Sequence, residues 1–269
     1  MSTKEELFAQ LRAMGAPRDS VVLMHTALRL IGEIEGGARG LLDILIEYFT
    51  AEGGLLALPT HTWNNLGRED VYTLDMTKCE SNLSAFARVA LADGRGVRSE
   101  HPSHSVVVFG DKARARAMVE GDMYLSTPAP GNSFYGRLYD AGGYVLLAGT
   151  SQTSNTFLHT VDEILDTPDR MGTKKYPVSV KQENGEVYRT EIVIYKGRDI
   201  GDVSQRFCKF DLPFRYHGAV TGGFLGDAPA MLCSTRGMFD VMKRIYDRSE
   251  EGYDPLVGEL AIPPKYYVK

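Results

Sequence analysis

Cysteine is scarce in this sequence, and long apolar runs are missing from it. The three cysteines among 269 residues lie far apart and form no Cys-x-x-Cys pair: Cys79, Cys208 and Cys233. That pattern argues against a disulfide framework or a thiolate zinc site and favours a reducing compartment. No apolar stretch approaches the roughly 20 residues that cross a bilayer, and the charged N-terminus lacks the apolar segment of a secretory leader. We therefore expect a cytoplasmic protein with no membrane partner.

The sequence also lacks a surplus of positive charge. A net charge of −5 and a pI near 5.7 argue against nucleic acid as the main partner. The mild negative charge is compatible with a cationic small molecule, although many cytosolic proteins share it. Hydrophobic residues make up 43% of the chain and charged residues 24%, which is enough to bury the core of an ordinary globular protein. We expect a single domain over residues 1–269.

Short apolar runs alternate with helical patterns through the first half of the chain. The runs at 21–25, 55–59, 106–109 and 144–148 predict buried strands, and the segments between them show the apolar spacing of helices. This alternation predicts an α/β layered domain with a mixed, largely parallel central sheet.

The second half breaks that alternation. Asn184-Gly185 separates two strand-like segments, which is a strong signal for a β-hairpin. We therefore expect an antiparallel insert at about residues 175–215 within the same domain.

Histidines cluster at the ends of the predicted strands. Four of the six lie at or just beside such an end: His25, His61, His104 and His159. Because open α/β sheets bind ligands beyond the carboxyl ends of their strands, these side chains are candidates for one shared site.

The segment 149–163 carries the most informative pattern. Asn155 and Thr156 are helix-capping residue types, and in the helix that follows His159 and Asp162 are three positions apart on one face. A carboxylate in that place can hold one tautomer of the imidazole and stabilise its charged form, as a general base requires. The alternative is a histidine that only packs, beside a charged helix face.

The segment 98–105 places one cation, three hydroxyls and two imidazoles before a strand. It is compatible with the wall of a pocket for a polyanionic cofactor, with a metal pair formed by His101 and His104, or with a hydrogen-bonded loop. A metal-dependent hydrolase would use these two histidines together with His61 and His159. Pro102 disfavours a helical metal pair and no third ligand has the right spacing, so we expect no metal. A Gly-x-Ser-x-Gly motif of a serine hydrolase does not occur.

Four motifs follow one another in a fixed order. They are His25-Thr26-Ala27-Leu28 with Gly32 and Gly36-Gly37; Pro59-Thr60-His61-Thr62-Trp63; Arg98-Ser99 with His101-Pro102 and Ser105; and Leu146-Leu147-Ala148-Gly149 with Asn155-Thr156, His159 and Asp162. In this order and spacing, over roughly residues 5–250, the chain resembles the aminoglycoside 3-N-acetyltransferase family.

The resemblance implies a three-layer α/β/α fold, acetyl-CoA as the donor and direct transfer of acetyl to an amine. His159 matches the family's general base, and Asp162 stands where the family usually has Glu, with Glu163 beside it. The resemblance places the coenzyme at the first Gly-rich turn, which follows the predicted strand at 21–25. The segment 98–105 is expected to add to the same wall of the pocket. The expected contacts are Thr26, Ala27, Leu28, Arg29, Ser99 and Ser105.

The resemblance also implies an amine substrate, first of all the 3-amino group of a 2-deoxystreptamine aminoglycoside. Trp63, Glu69, Asp70 and Glu163 are the candidates for contacting it, since the loop 64–80 is acidic and could receive a polycation. The alternatives are an acetyltransferase for another amine, or a protein that binds CoA and has little activity. A homodimer is a further expectation, because homodimers are the commonest oligomers of soluble proteins.

Overall fold

The computed structural model describes residues 1–78, 80–196, 202–258 and 261–268. Cys79 and the part of the expected insert at 197–201 lie outside the described residues. The helices are α1 Lys4–Ala13, α2 Leu28–Ile31, α3 Gly37–Thr50, α4 Ala85–Ala92, α5 Lys112–Val119, α6 Phe134–Asp140, α7 Phe157–Ile164, α8 Asp211–Tyr216, α9 Thr235–Arg248 and α10 Pro264–Tyr267. Short 3₁₀ helices lie at Trp63–Asn65, Asp122–Tyr124, Gln152–Ser154 and Val203–Phe210. None of the helices in these ranges is long and apolar enough to cross a bilayer.

Most strands belong to one central sheet. The strands are β1 Val21–Thr26, β2 Leu55–Pro59, β3 Tyr72–Asp75, β4 Val97–Arg98, β5 Val106–Phe109, β6 Tyr144–Ala148, β7 Tyr176–Lys181, β8 Val187–Ile192, β9 Val220–Leu225 and β10 Ala228–Ser234. Seven of them form the central sheet in the order β4-β5-β2-β1-β6-β10-β9. Strands β2, β1 and β6 lie parallel at its centre, and the outer strands add to them antiparallel.

The α/β class and the mixed sheet are thus confirmed, but the expectation of a largely parallel sheet is wrong. Only two of the six strand pairs are parallel. A continuous apolar run shows that a strand is buried on both faces, and it carries no information about the direction of the chain.

Alternate residues of the central strands face two separate cores, which makes the fold three-layered. On β1, Leu23 lies in a core with Phe157 of α7 and Met238 of α9. Its neighbours Val22 and Met24 lie in the opposite core, with side chains of α1, α3 and α4. Burial of each such side chain contributes about 1.5–3 kcal/mol, so helices are required on both faces of the sheet. The expected α/β/α layering is confirmed.

A second, three-stranded sheet has the order β3-β7-β8. Strands β7 and β8 form the predicted antiparallel hairpin, and Gly185 in its turn has a φ of +88°, which favours glycine. Strand β3 pairs parallel to β7 and comes from the acidic loop, where no strand was predicted. The hydroxyls of Thr73 and Ser179, 2.7 Å apart, join the two strands. Because β3 has only four residues, its pattern is too short to be distinguished from a loop.

Candidate active site

A cavity of about 660 Å³ opens at the edge of the central sheet where the parallel strands end. His25 is the next-to-last residue of β1, and His61 follows the end of β2. His104 precedes β5, and since β5 runs antiparallel to β2, its beginning lies at the same edge. His159 follows β6 by way of a 3₁₀ turn, and all four histidines line the cavity. The strand ends thus bring together the imidazoles that the sequence singled out.

His159 lies in the first turn of α7, on the cavity wall. The helix begins after Asn155, whose side-chain oxygen accepts a hydrogen bond from the backbone N–H of Phe157 at 3.2 Å. The His159 residue is 7% exposed, and Nδ1 is buried without a hydrogen-bond partner. Its ring is stacked on Tyr195, with centroids 3.7 Å apart and planes 7° apart, and Phe207 approaches edge-on at 4.7 Å. The imidazole is therefore held by aromatic contacts.

The surroundings of His159 favour its neutral form. Burial lowers the pKa of His159 to about 3; the negative charge of Asp202 opposes this shift, and the positive charge of Arg170 adds to it. Burial also lowers the pKa of His25 to about 4 and holds the pKa values of His61 and His104 well below 6.5. At neutral pH the cavity is thus lined by uncharged imidazoles.

The expected contact between His159 and Asp162 is not formed, which corrects the sequence-based assignment. The Asp162 carboxylate accepts hydrogen bonds from Arg170 Nε at 3.2 Å and from the Tyr246 hydroxyl at 2.7 Å. Arg170 also donates to Asp254 through both terminal nitrogens. Burial raises the pKa of Asp162, and the adjacent Arg170 opposes that rise. Asp162, on α7, therefore belongs to a buried network of ion pairs. Arg170 lies in the loop after α7, and no local spacing rule predicts its contact with Asp162.

Glu163, predicted to contact the substrate, does not line the cavity. Its carboxylate accepts three hydrogen bonds: from the Thr127 hydroxyl at 2.6 Å, from the backbone N–H of Ala129 at 2.9 Å and from the Tyr195 hydroxyl at 2.6 Å. Burial raises the pKa of Glu163, and these donors oppose that rise. Glu163 thus anchors Tyr195, a cavity-lining residue that the sequence did not reveal.

The predicted coenzyme contacts at the first turn divide into two groups. Thr26 and Ala27 line the cavity, and the Thr26 hydroxyl is buried without a hydrogen-bond partner, as is Nε2 of neighbouring His25. Leu28 packs partly against the core beneath the sheet, and Arg29 is exposed away from the cavity wall. The turn therefore presents two uncommitted polar atoms at the cavity, which is what a polar ligand would need.

Ser99 and Ser105 have structural roles away from the cavity. The Ser99 hydroxyl donates to Asp122 at 2.7 Å, and the Ser105 hydroxyl donates to the backbone carbonyl of Thr60 at 3.0 Å. Neither serine is among the residues that line the cavity, and their contact with the coenzyme stays a prediction. Within the same segment, Nδ1 of His101 accepts the backbone N–H groups of residues 103 and 104, each at 3.1 Å. The segment 98–105 is a hydrogen-bonded loop that places His104 on the cavity wall.

The predicted substrate contacts are also divided. Trp63 lines the cavity and is 40% exposed, whereas Glu69 and Asp70 are exposed and lie outside its lining. Among the lining residues that the structure describes, Asp202 is the single carboxylate and carries the only formal charge. It caps the 3₁₀ helix Val203–Phe210 by accepting the backbone N–H of Ser204 at 3.0 Å.

The histidines do not form a metal site in the described part of the chain. The rings of His61 and His104 are 4.7 Å apart, but Nε2 of His61 is hydrogen-bonded to the Tyr135 hydroxyl at 2.7 Å. No group of three or more His, Cys, Asp or Glu side chains in the described ranges could hold a metal ion. The metal-dependent hydrolase alternative therefore receives no support from the geometry.

The buried histidines predict a steep acid destabilisation. Burial lowers the pKa of five of them below 6.5: His25, His61, His101, His104 and His159. Between pH 6.5 and about 4 the unfolded chain binds protons that the folded chain does not, so stability falls as the pH falls through this window. Each group contributes up to about 1.4 kcal/mol per pH unit. Urea unfolding at pH 7.5, 6 and 5 measures this dependence. His25→Gln should lower the number of protons taken up on unfolding by about one, and the free energy of unfolding should then depend less steeply on pH. A free energy of unfolding that stays level from pH 7 to 5 would contradict it.

Fold and site together define a three-layer α/β/α protein with a histidine-lined cavity at the carboxyl ends of its parallel strands. The sequence profile of the aminoglycoside 3-N-acetyltransferases matches residues 23–247, which is most of the chain. The protein belongs to this family, and the resemblance found in its motifs is confirmed.

Two curated relatives and one solved structure illustrate the similarity. Aminoglycoside N(3)-acetyltransferase VIII of Streptomyces fradiae is 29% identical over 194 residues, covering 66% of this chain and 67% of the relative. The SPbeta prophage-derived aminoglycoside N(3')-acetyltransferase-like protein YokD of Bacillus subtilis is 25% identical over 179 residues, covering 60% of this chain. That alignment spans 64% of the length of the Bacillus protein. AAC-IIIb, solved as a binary complex with CoASH, superposes with a TM-score of 0.78 at 20% identity, covering 94% of this chain and 99% of that one. The last similarity concerns the fold.

Proposed function

We propose that this protein transfers the acetyl group of acetyl-CoA to an amine, with His159 as the general base. One observation carries the proposal: a neutral imidazole lies on the cavity wall, and its Nδ1 has no hydrogen-bond partner. Such a group is free to accept a proton from a ligand. Histidines that only stabilise a fold are normally hydrogen-bonded, as His101 is here.

The chemistry requires a base because an alkyl amine, with a pKa of roughly 10, is mostly protonated at pH 7. Only the neutral amine attacks a carbonyl carbon. His159 would take the proton that the nitrogen loses as its bond to the acetyl carbon forms. Burial keeps the imidazole in the basic form that this step consumes.

The first turn is the part of the cavity best suited to the coenzyme. The thioester supplies an activated acetyl group, so the protein needs only to bind and orient it. Thr26 has an unpartnered hydroxyl there, and the backbone of Ala27 borders the same space. The loop 150–156 adds hydroxyl groups of Thr150, Thr153 and Ser154. These groups can donate hydrogen bonds to the coenzyme or to the developing oxyanion. The relative AAC-IIIb binds CoASH, which supports this assignment.

Aminoglycosides are the first candidates for the amine, because the relatives are named for acetylating their N(3) position. A screen that measures thiol release from acetyl-CoA tests both donor and acceptor. It should compare aminoglycosides that carry or lack the 3-amino group, together with unrelated mono- and diamines. Turnover of at least one amine is expected. Tight CoA binding by calorimetry, combined with no thiol release for any amine, would instead identify a CoA-binding protein.

Asp202 is expected to receive the ammonium form of the amine before its proton is removed. It is the one carboxylate among the described lining residues, and its charge also favours the protonated state of His159. Asp202→Asn should therefore lower kcat/KM for the amine by roughly five-fold, since a partly exposed ion pair is worth about 1 kcal/mol. Steady-state kinetics measures this, with Asp70→Asn, outside the cavity, as the matched control. An unchanged kcat/KM, or an equal loss in the control, would remove Asp202 from the site.

A further inference from the structure

Among the residues that the structure describes, no carboxylate is hydrogen-bonded to Nδ1 of His159. A general base normally depends on a hydrogen-bonded carboxylate or carbonyl to fix its ring, and Asp162 in the family motif suggested such a contact. Here the Asp162 carboxylate is bound by Arg170 and Tyr246, and Nδ1 of His159 has no partner. Some other contact must fix the plane of the imidazole, and the aromatic neighbours are the available ones.

Tyr195 makes the most extensive of these contacts. Its ring covers the face of the imidazole at a centroid distance of 3.7 Å and an angle of 7°, and its edge contact with His104 is at 5.8 Å. The Tyr195 hydroxyl donates to Glu163 at 2.6 Å. Glu163 is four residues after His159 on the same helix, so the two ends of the tyrosine are fixed to one rigid element.

The backbone around Tyr195 is anchored as well. Tyr195 pairs antiparallel with Met171 in an isolated bridge, and the backbone N–H of Lys196 donates to the carbonyl of Arg170 at 2.7 Å. The segment that follows β8 therefore delivers the ring to His159 from the second half of the chain. A carboxylate with three donors holds the other end.

We propose that Tyr195, held by Glu163, is the positioning residue for His159, taking the place of the hydrogen-bonded carboxylate. This inference rests on the proposed function, because it concerns the same proton transfer. The stacked ring fixes the plane of the imidazole. Its π face also stabilises the imidazolium that forms when the N–H bond of the amine breaks and the proton moves to His159. Glu163 accepts the phenolic hydrogen bond and makes the ring more electron-rich.

Three variants test the proposal through kinetics. Tyr195→Leu removes the ring and should lower kcat by about tenfold or more, with KM for acetyl-CoA changed less than twofold. Tyr195→Phe keeps the stack and should retain kcat within about threefold, which guards against loss by misfolding. Tyr188→Leu is the matched control, because Tyr188 lies on β8, shortly before Tyr195, and its ring contacts Tyr124. It should leave kcat unchanged.

A double-mutant cycle separates positioning from substrate contact. If Tyr195 acts through His159, adding Tyr195→Leu to His159→Ala should lower the remaining rate less than twofold. A tenfold further loss in that background, or a loss confined to KM for the amine, would make Tyr195 a substrate contact and overturn the proposal. Retention of full kcat by Tyr195→Leu would overturn it as well.

The NMR spectrum of the free protein provides a readout independent of activity. The ring current of a stacked tyrosine moves the Cε1–H resonance of His159 upfield, and His159→Ala assigns that resonance. Tyr195→Leu should move it downfield, while Tyr188→Leu should leave it in place. If no amine is turned over, the proposed function fails, and this resonance still decides whether Tyr195 holds the ring. An unchanged resonance in Tyr195→Leu overturns the positioning role.

Discussion

Replacing His159 by alanine is expected to lower kcat for acetyl transfer by about 10²–10⁴-fold, the usual contribution of a positioned base. The amine then has to lose its proton to water or to another imidazole of the cavity wall. Among the neutral imidazoles of the cavity, His61 is hydrogen-bonded to Tyr135 and His104 to the Ser103 hydroxyl. Nδ1 of His159 and Nε2 of His25 have no such contact, so His25→Gln tests whether His25 compensates for the loss of His159.

Affinity for CoA provides the internal check on that variant. Thr26 and the loop 150–156 do not depend on the imidazole, so the Kd for CoA by calorimetry should change by less than about threefold. His159→Asn is a second variant that keeps a smaller polar side chain at this position. It controls for movement of Tyr195 and Phe207 into the space that the imidazole leaves in His159→Ala. His217→Ala is the control, because His217 bonds the backbone carbonyl of Tyr267 and does not line the cavity. A His159→Ala enzyme with kcat within tenfold of the parent would end the general-base assignment.

The part of the site that sequence could predict depends on local rules. Strand ends collect at one edge of an α/β sheet, which places His25, His61, His104 and His159 around one cavity. The capping pattern before His159 placed it in the first turn of a helix, and the structure has that helix at Phe157–Ile164. The motifs in their order were sufficient for the family.

The remaining features depend on contacts between distant segments. Tyr195 lies three residues after β8 and stacks on His159, and no spacing rule connects residues 36 positions apart. Asp162 turns to Arg170 because the intervening loop bends sharply, with positive φ at Asp166 and Asp169. The helical spacing of His159 and Asp162 was correct as a pattern. It could not show that a buried guanidinium would compete for the carboxylate.

That guanidinium is expected to be the most sensitive position for stability. Arg170 is 3% exposed in its side chain and bonds both Asp162 and Asp254. Arg170→Met would leave the Asp162 carboxylate buried without its cationic partner, with the Tyr246 and Thr167 side chains as the remaining hydrogen-bond donors, at a cost of about 3–5 kcal/mol in the free energy of unfolding. Urea unfolding measures this cost. Arg215→Met, which breaks an exposed pair with Asp211, should cost less than about 1 kcal/mol.

The pH dependence of the Arg170→Met defect distinguishes a buried charge from simple loss of packing. Without Arg170, burial alone acts on Asp162, and its folded-state pKa rises further above its unfolded value. Stability lost in this way is regained as the pH falls through the folded pKa, so the difference from the parent should shrink between pH 7 and 5. The contributions of the other buried histidines cancel in that difference, and that of His159 is reduced, because Arg170 also lowers the pKa of His159. Adding Asp162→Asn should recover most of the loss at pH 7, because no buried charge then remains at that position. A defect independent of pH and unrelieved by Asp162→Asn would mean that Arg170 matters for its packing, and α7 would then be held in place by apolar contacts alone.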